Sequence, residues 1–222
     1  THLAVRDSVW GHPVLGVMML YRLCTAFEDC RDVQAAVARH RGVVWMGLEY
    51  RYMPPVGRFL DQLATGAAGD LRMVHVREHR FPFLEKVGGW NRFTANTGGT
   101  LVEKCCHFFD LMNLVMPGRP VRVLASGGQD VNHLDEVVDG AVPDILDNAY
   151  VIVEYEGGRR ALLDLCMFAE GSRWEQEIVA VGDAGKVEVH VPGFMEVARG
   201  RRGEVVVGSR GPDWPVTEHP VD

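Results

Sequence analysis

Alternating apolar and polar positions predict most of the β-strands in this chain. Where every second residue is apolar, one face of a strand is buried and the other faces solvent. The pattern predicts strands at Leu71–His79, Tyr150–Tyr155, Arg160–Cys166, Ile178–Val181, Lys186–Val191 and Glu204–Val207. Glu156–Gly158 predicts a tight hairpin turn between the second and third of them. The last dozen residues are rich in Gly and Pro, which predicts a loop or a frayed end.

Apolar residues spaced three and four apart predict three helices. The first follows a capping box at Thr25–Glu28 and ends near Gly42, and the second runs through Phe59 and Leu63. The third, Leu101–Met116, is apolar nearly all round, so we expect a buried helix there.

The first helix lies between two apolar runs, Val14–Leu20 and Val43–Leu48, that predict buried strands. Strand, helix and strand in this order form a βαβ unit. One such unit cannot cover both faces of its own sheet, so we expect residues 1–49 to be the C-terminal part of an incomplete, doubly wound Rossmann-like domain. Residues 50–222 predict an open, mostly antiparallel sheet with helices on one face. The predicted fold class is therefore α/β followed by α+β.

The composition argues against several classes of protein. The chain carries 30 acidic and 23 basic residues, which gives a formal net charge of −7 and is poorly suited to nucleic-acid binding. No apolar run approaches the roughly 18 residues of a membrane span. Five cysteines at irregular spacing favour a reducing, cytoplasmic location over a disulfide framework. Cys105, Cys106 and His107 are consecutive and point in different directions on a helix, so we expect no metal site.

One polar stripe interrupts the apolar helix predicted at Leu101–Met116. Glu103, His107 and Asp110 stand at positions i, i+4 and i+7, on a single face of a continuous helix. A buried carboxylate and imidazole cost several kcal/mol unless they pair or face a wet cleft. The stripe is therefore either a polar network that joins the helix to the sheet or an acid/base pair.

Several motifs, in order along the chain, resemble one enzyme family. Gly98 to Asp110 resembles the G-G-x-L-x-D-x-x-x-H-x-x-D stretch of the glucose–fructose oxidoreductase / inositol 2-dehydrogenase (Gfo/Idh/MocA) family. Glu49–Pro55 resembles its R-[FY]-x-P segment, and Thr65–Asp70 its S-G-x-I-G-D turn. Trp90 and Gly182-x-x-Gly185 also fit. The resemblance implies a dehydrogenase that uses NAD or NADP and acts on a sugar, a polyol or a similar small hydroxy or keto compound by hydride transfer.

The resemblance also implies roles for single residues. His107 matches the family's catalytic histidine, Glu103 stands where the family has Asp and would orient His107, and Arg51 matches an arginine close to the cofactor. Trp90 and Asn91 are the expected substrate contacts, and the alternative for them is a loop anchored by aromatic residues. The sheet face is expected to pack against a second subunit, which predicts a homo-oligomer.

Two departures from the family bear on activity. Tyr21 and Arg22 stand in the cofactor-binding E-K-P motif, where a neutral Tyr21 replaces the lysine and Arg22 restores part of the charge. The chain contains no G-x-G-x-x-G phosphate loop, so we expect this fragment to bind neither NAD nor NADP tightly and to be inactive by itself. The alternative function is a catalytically inactive family remnant that acts as an assembly or small-molecule-binding module.

Overall fold

The computed structural model describes residues 27–213 and 215–221 of the chain. The predicted strand Val14–Leu20 and the predicted cofactor contacts Tyr21 and Arg22 lie outside these ranges. The chain divides into two compact units. Among the described residues, the first takes in 27–48, 84–106 and 135–145, and the second takes in 49–83, 107–134, 146–213 and 215–221.

The second unit is built on one eight-stranded sheet. Its strands are β1 (Leu71–His79), β2 (Pro120–Gly128), β3 (Asn148–Tyr155), β4 (Arg159–Cys166), β5 (Gln176–Gly182), β6 (Gly185–Val191), β7 (Gly203–Ser209) and β8 (Val216–Val221). The order across the sheet is β2-β3-β4-β1-β5-β6-β7-β8. Only β1 and β4 are parallel neighbours among these strands, and the other pairs are antiparallel. This open, mostly antiparallel sheet confirms the predicted architecture.

Helices cover one face of the sheet. Helix α2 (Pro54–Ala64) starts with two prolines that suit a first helical turn, and it buries Val56 and Phe59. It packs against β6, β7 and β8. Over the other half of the sheet, the hydroxyl of Tyr155 on β3 donates a hydrogen bond of 2.8 Å to Oδ1 of Asn113 in helix α5 (Cys106–Val115). A short helix α6 (Phe194–Ala198) follows β6.

The opposite face of the sheet carries a band of mostly apolar side chains beside a row of charged ones. In register across the strands, the apolar band consists of Ile152, Leu162, His75, Val179 and Val206, and it also includes Glu188. The charged row next to it consists of Asp164, Arg77, Glu177, His190 and Glu204. Arg77 pairs with Glu177, and His190 Nδ1 lies 2.9 Å from Glu204 Oε1, so the charges of this row are matched within the chain.

The first unit consists of helices and loops in its described part. Helix α1 (Phe27–Arg39) confirms the prediction from the capping box. The strand predicted at Val43–Leu48 is wrong, because these residues have no regular secondary structure. A strand needs a hydrogen-bonded neighbour, and the neighbour expected for it, Val14–Leu20, lies outside the described residues. A 3₁₀ turn (Val87–Arg92) and the short helices α3 (Thr94–Thr97) and α4 (Thr100–Glu103) complete this unit.

The continuous helix predicted over Leu101–Met116 is also wrong. Helix α4 ends at Glu103, and α5 begins at Cys106. At the break, the N–H of Cys105 donates to the carbonyl of Thr100, five residues back, over 3.3 Å. Such a bond widens the turn as in a π-bulge, a feature often found near functional sites. The i, i+4 spacing of a regular helix therefore does not apply across this break.

Two strands were not expected. The Gly- and Pro-rich C-terminal segment, predicted as a loop or frayed end, forms β8, which pairs with β7 from Val216 to Val221. Strand β2 lies at the other edge of the sheet and is exposed on both faces over nearly its whole length. A strand with no buried face has no reason to alternate apolar and polar residues, which is why the pattern did not reveal it.

Candidate functional site

The predicted catalytic residue His107 lies in the first turn of α5, against a 3₁₀ turn formed by Glu49–Tyr52. Tyr50 is buried, and its ring stacks on the imidazole of His107 with the ring centroids 4.9 Å apart. The same tyrosine meets Phe108 edge-on at 5.3 Å. Because the ring of Tyr50 is itself fixed by packing, the stacking holds the plane of the imidazole in one orientation.

An acidic side chain contacts this histidine from the same turn. Oε2 of Glu49 lies 3.6 Å from Nδ1 of His107, and the Glu49 side chain is 59% exposed. Sequence analysis did not assign Glu49 a role, although it stands in the segment that resembles the family. A contact between residues so far apart in the chain has no local signature in the pattern. The contact brings a second polar group of the same 3₁₀ turn to the imidazole.

Arg51 and Asp110 join the 3₁₀ turn to α5. Nε and Nη2 of Arg51 donate to the two carboxylate oxygens of Asp110 in a bidentate pair. The hydrogen bond to Asp110 raises the pKa of Arg51, so the guanidinium is a fixed positive charge. Its side chain is 35% exposed, and Nη1 lies outside the pair. Asp110 therefore positions Arg51.

Glu103, the other predicted catalytic residue, pairs with a lysine in the first unit. Nζ of Lys86 donates to Oε1 of Glu103 over 2.6 Å, and only 8% of the Glu103 side chain is exposed. The same ammonium lies 4.9 Å from the ring centroid of Trp90. The role of Glu103 in orienting His107 stays a prediction, whereas its contact with Lys86 was not foreseen.

The two predicted substrate contacts occupy different environments. Asn91 is fully buried: its Oδ1 accepts from the N–H of Lys86 at 3.2 Å, and its Nδ2 donates to the carbonyl of Leu84 at 3.1 Å. Its side chain thus holds the loop in shape. Trp90 is half-buried and keeps part of its ring at the surface. Of the two residues, Trp90 is the one that a ligand could touch.

Other expected features can be examined only in the described part of the chain. Within it, no three side chains of the His, Cys, Asp or Glu type are arranged to hold a metal ion. The described ranges also contain no helix that is both long enough and apolar enough to cross a membrane.

Comparisons with known proteins agree with the fold and with the motifs. The profile described as the oxidoreductase family, C-terminal alpha/beta domain, matches residues 61–213. A curated relative, YteT of Bacillus subtilis (strain 168), is named as an oxidoreductase. It is 28% identical over 134 residues, which are 57% of this chain and 30% of YteT.

Solved structures share the fold at low sequence identity. Levoglucosan dehydrogenase in complex with NADH matches with a TM-score of 0.68 at 15% identity, over 89% of this chain and 51% of that chain. The WlbA dehydrogenase from Bordetella pertussis, in complex with NADH and UDP-GlcNAcA, matches with a TM-score of 0.62 at 15% identity, over 80% of this chain and 55% of that chain. This chain thus spans about half the length of these structures. Because the family profile covers more than half of the chain and the observed sheet agrees with it, the chain belongs to the Gfo/Idh/MocA oxidoreductase family and contains its C-terminal α/β domain.

Proposed function

We propose that the protein carrying this chain is an NAD- or NADP-dependent oxidoreductase that acts on a sugar, a polyol or a similar small hydroxy or keto compound by hydride transfer. The observation that supports this proposal is the environment of His107. Its imidazole is buried, stacked on Tyr50 and placed 3.6 Å from the carboxylate of Glu49. An imidazole held in one plane beside a carboxylate suits proton transfer to and from a hydroxyl group.

In this proposal His107 takes the proton of the substrate hydroxyl as the carbon is oxidised, and it returns the proton in the reverse direction. Oε2 of Glu49 lies 3.6 Å from Nδ1, on one side of the imidazole ring. Glu49 then stabilises the imidazolium that forms, and Tyr50 keeps the ring from turning away. In other acid/base pairs, too, a second group orients the histidine that transfers the proton.

The described residues fit a nicotinamide cofactor at Arg51. Asp110 keeps its guanidinium charged and fixed while part of it stays exposed, which suits an anionic or amide group of a bound ligand. A nicotinamide cofactor, when bound, supplies the acceptor or donor of the hydride. Tyr21 and Arg22 are further proposed contacts that lie outside the described residues. On the substrate side, we assign Trp90 and Glu103 to ligand contact and Asn91 to support of the loop.

The test is turnover by the full-length protein that contains this chain. NAD⁺ or NADP⁺ is offered with a panel of aldoses and polyols, and the absorbance of the reduced cofactor is followed. We expect turnover with at least one compound, and a loss of about 10²- to 10⁴-fold in kcat for His107→Ala. His79→Ala is the matched control, because His79 also pairs with a carboxylate, at 3.0 Å from Asp164, but on the open sheet face. Full activity of folded His107→Ala would overturn the proposal.

Tyr21 is the observation that favours the second candidate, a family member without catalytic activity that binds small molecules or mediates assembly. A neutral phenol cannot supply the fixed positive charge that the family's lysine carries at neutral pH. A binding titration with the same compounds, run beside this assay, separates the candidates. Saturable binding of a compound from the panel without any cofactor reduction favours the binding module over the enzyme.

We also propose that the open face of the sheet binds a second copy of the protein. An apolar band bordered by a row of matched charges has the arrangement of a protein interface, with an apolar centre and a polar rim. Leu162→Arg places a charge in the apolar band next to His75 in the register, and it should shift the protein toward monomer in light scattering. An unchanged oligomer, or a wild-type protein that is monomeric over a tenfold range of concentration, would contradict this assignment.

A further inference from the structure

We infer that Lys86 is a positioning residue of the proposed site, which holds the Glu103 carboxylate in place and adds a fixed positive charge beside it. The inference rests on the proposed function, because it assigns Lys86 a task in that reaction. Its starting point is the pair itself: Nζ of Lys86 and Oε1 of Glu103 are 2.6 Å apart, in one compact unit of the chain.

The burial of Glu103 distinguishes this pair from an ordinary surface ion pair. Exposed pairs contribute little, since water screens both charges. Here only 8% of the Glu103 side chain is exposed, whereas 45% of Lys86 is. A carboxylate taken out of water needs a compensating charge close by. Lys86 therefore supplies the positive charge that compensates for the burial of the Glu103 carboxylate.

One oxygen of Glu103 has no donor among the described residues. Oε2 is buried and accepts no hydrogen bond from the residues that the structure describes. A buried acceptor left in this state lowers the stability of the fold, and such a group in a folded protein calls for an explanation. A hydroxyl group of a bound ligand would satisfy it. The ammonium of Lys86 has three donors, of which Glu103 uses one, so the pair offers a ligand an acceptor and a donor side by side.

Contacts within the loop that carries Lys86 keep its ammonium group beside Glu103. Asn91 binds the N–H of Lys86 and the carbonyl of Leu84 with the two ends of its amide. Gly89 has a φ of +59°, and a Cβ there would come within 2.6 Å of a methyl group of Val138, so a side chain at this position would disturb the loop. The indole of Trp90 then attracts the ammonium from 4.9 Å. These contacts restrict the Lys86 side chain to one position beside Glu103.

The test compares Lys86→Met and Lys86→Arg in the full-length protein, with the best aldose or polyol from the panel described above. Lys86→Met should lower kcat/KM by about 10- to 100-fold, mostly through kcat, because the carboxylate loses its orientation. Lys86→Arg keeps the charge and should recover most of the activity. Arg119→Met is the control: this arginine also pairs with a glutamate, Glu156, but at an exposed turn, and its removal should leave kcat/KM unchanged.

Melting temperatures of the same variants exclude a merely structural role, in which stability falls and kcat/KM per folded molecule stays at the wild-type value. That outcome overturns the inference, as does an equal loss in Lys86→Arg and Lys86→Met. If Lys86→Met does not fold, Lys86→Gln takes its place in the comparison. The variant His107→Ala distinguishes failure of the proposed function from failure of the inference about Lys86. If it retains full activity, the proposed function fails. If it is inactive while Lys86→Met is fully active, only the role of Lys86 is wrong.

Discussion

The bidentate pair between Arg51 and Asp110 should measurably stabilise the contact between the 3₁₀ turn Glu49–Tyr52 and α5. Two charge-assisted hydrogen bonds join the side chains, and each contributes about 1.5–3 kcal/mol where solvent is excluded. The Arg51 side chain is 35% exposed, so water screens a large part of this. We therefore expect a coupling free energy of about 1–2 kcal/mol for the pair as a whole.

A double-mutant cycle isolates this coupling. Arg51→Gln, Asp110→Asn and the double variant are unfolded in urea, and the free energies of unfolding are compared with that of the wild type. The pair of Arg122 and Glu154 serves as the control, since it is also bidentate but lies on the exposed face of the sheet. Its coupling should be clearly smaller. A coupling between Arg51 and Asp110 below about 0.3 kcal/mol, within the usual additivity error, would refute the reasoning.

The remaining predictions concern stability. Burial opposes the charged form of the Asp147 carboxylate, but three backbone N–H groups, from Asn132, Val131 and Asp130, bind it and together lower its pKa. Asp147→Asn should therefore lower the free energy of unfolding, measured in urea, by about 2–4 kcal/mol. Because the pKa of Asp147 is depressed on folding, this contribution is present above about pH 4 and is lost as the pH falls further, so the variant should lose less stability in acid than the wild type. Burial lowers the pKa of His75, so protonation favours the unfolded state, and stability should fall as the pH drops below about 6.5; His75→Gln should flatten this slope. Gly69→Ala should lower the melting temperature more than Gly66→Ala does. Both glycines have positive φ, but only at Gly69 would a Cβ clash, with Asp183 and Ala184. Equal losses of melting temperature would show that the clash is relieved.

Regular elements with one buried face could be predicted from the sequence, and the structure shows why. Strand β1 was predicted over Leu71–His79, its observed span, because Val74, Val76 and Glu78 face the helices and the residues between them face the open side. The pattern held even though Glu78 is an acidic residue, since the other residues on its face of the strand, Val74 and Val76, are apolar. The hairpin of β3 and β4 was predicted for the same reason, with a glycine turn between two strands that each bury one face.

Elements whose positions depend on distant parts of the chain could not be predicted in this way. The break between α4 and α5 depends on a hydrogen bond from Cys105 to Thr100, and no change of pattern marks it in the sequence. Strand β8 forms because β7 offers a free edge, although its own composition is typical of a loop.

The candidate site was predicted in part. His107 and Arg51 could be identified as candidate residues from motifs that resemble the family, whereas the pairing of Arg51 with Asp110 was not predicted. The charged partners of the site could not, because Glu49 reaches His107 and Lys86 reaches Glu103 only through tertiary contacts. An ion pair between distant residues leaves no period or spacing in a single sequence. Sequence analysis therefore identified residue types that suit the chemistry but not these two contacts, and the role of Glu103 in orienting His107 stays a prediction.

The central claim, that His107 transfers the proton, is tested most directly by chemical rescue in the full-length protein. In His107→Gly, added imidazole can occupy the space of the lost ring beside Tyr50 and Glu49. We expect kcat for the best compound of the panel to fall by about 10²- to 10⁴-fold in this variant, and to rise with imidazole concentration until it saturates. Wild-type turnover without imidazole would contradict the claim. So would a folded, inactive variant that imidazole leaves inactive at every concentration.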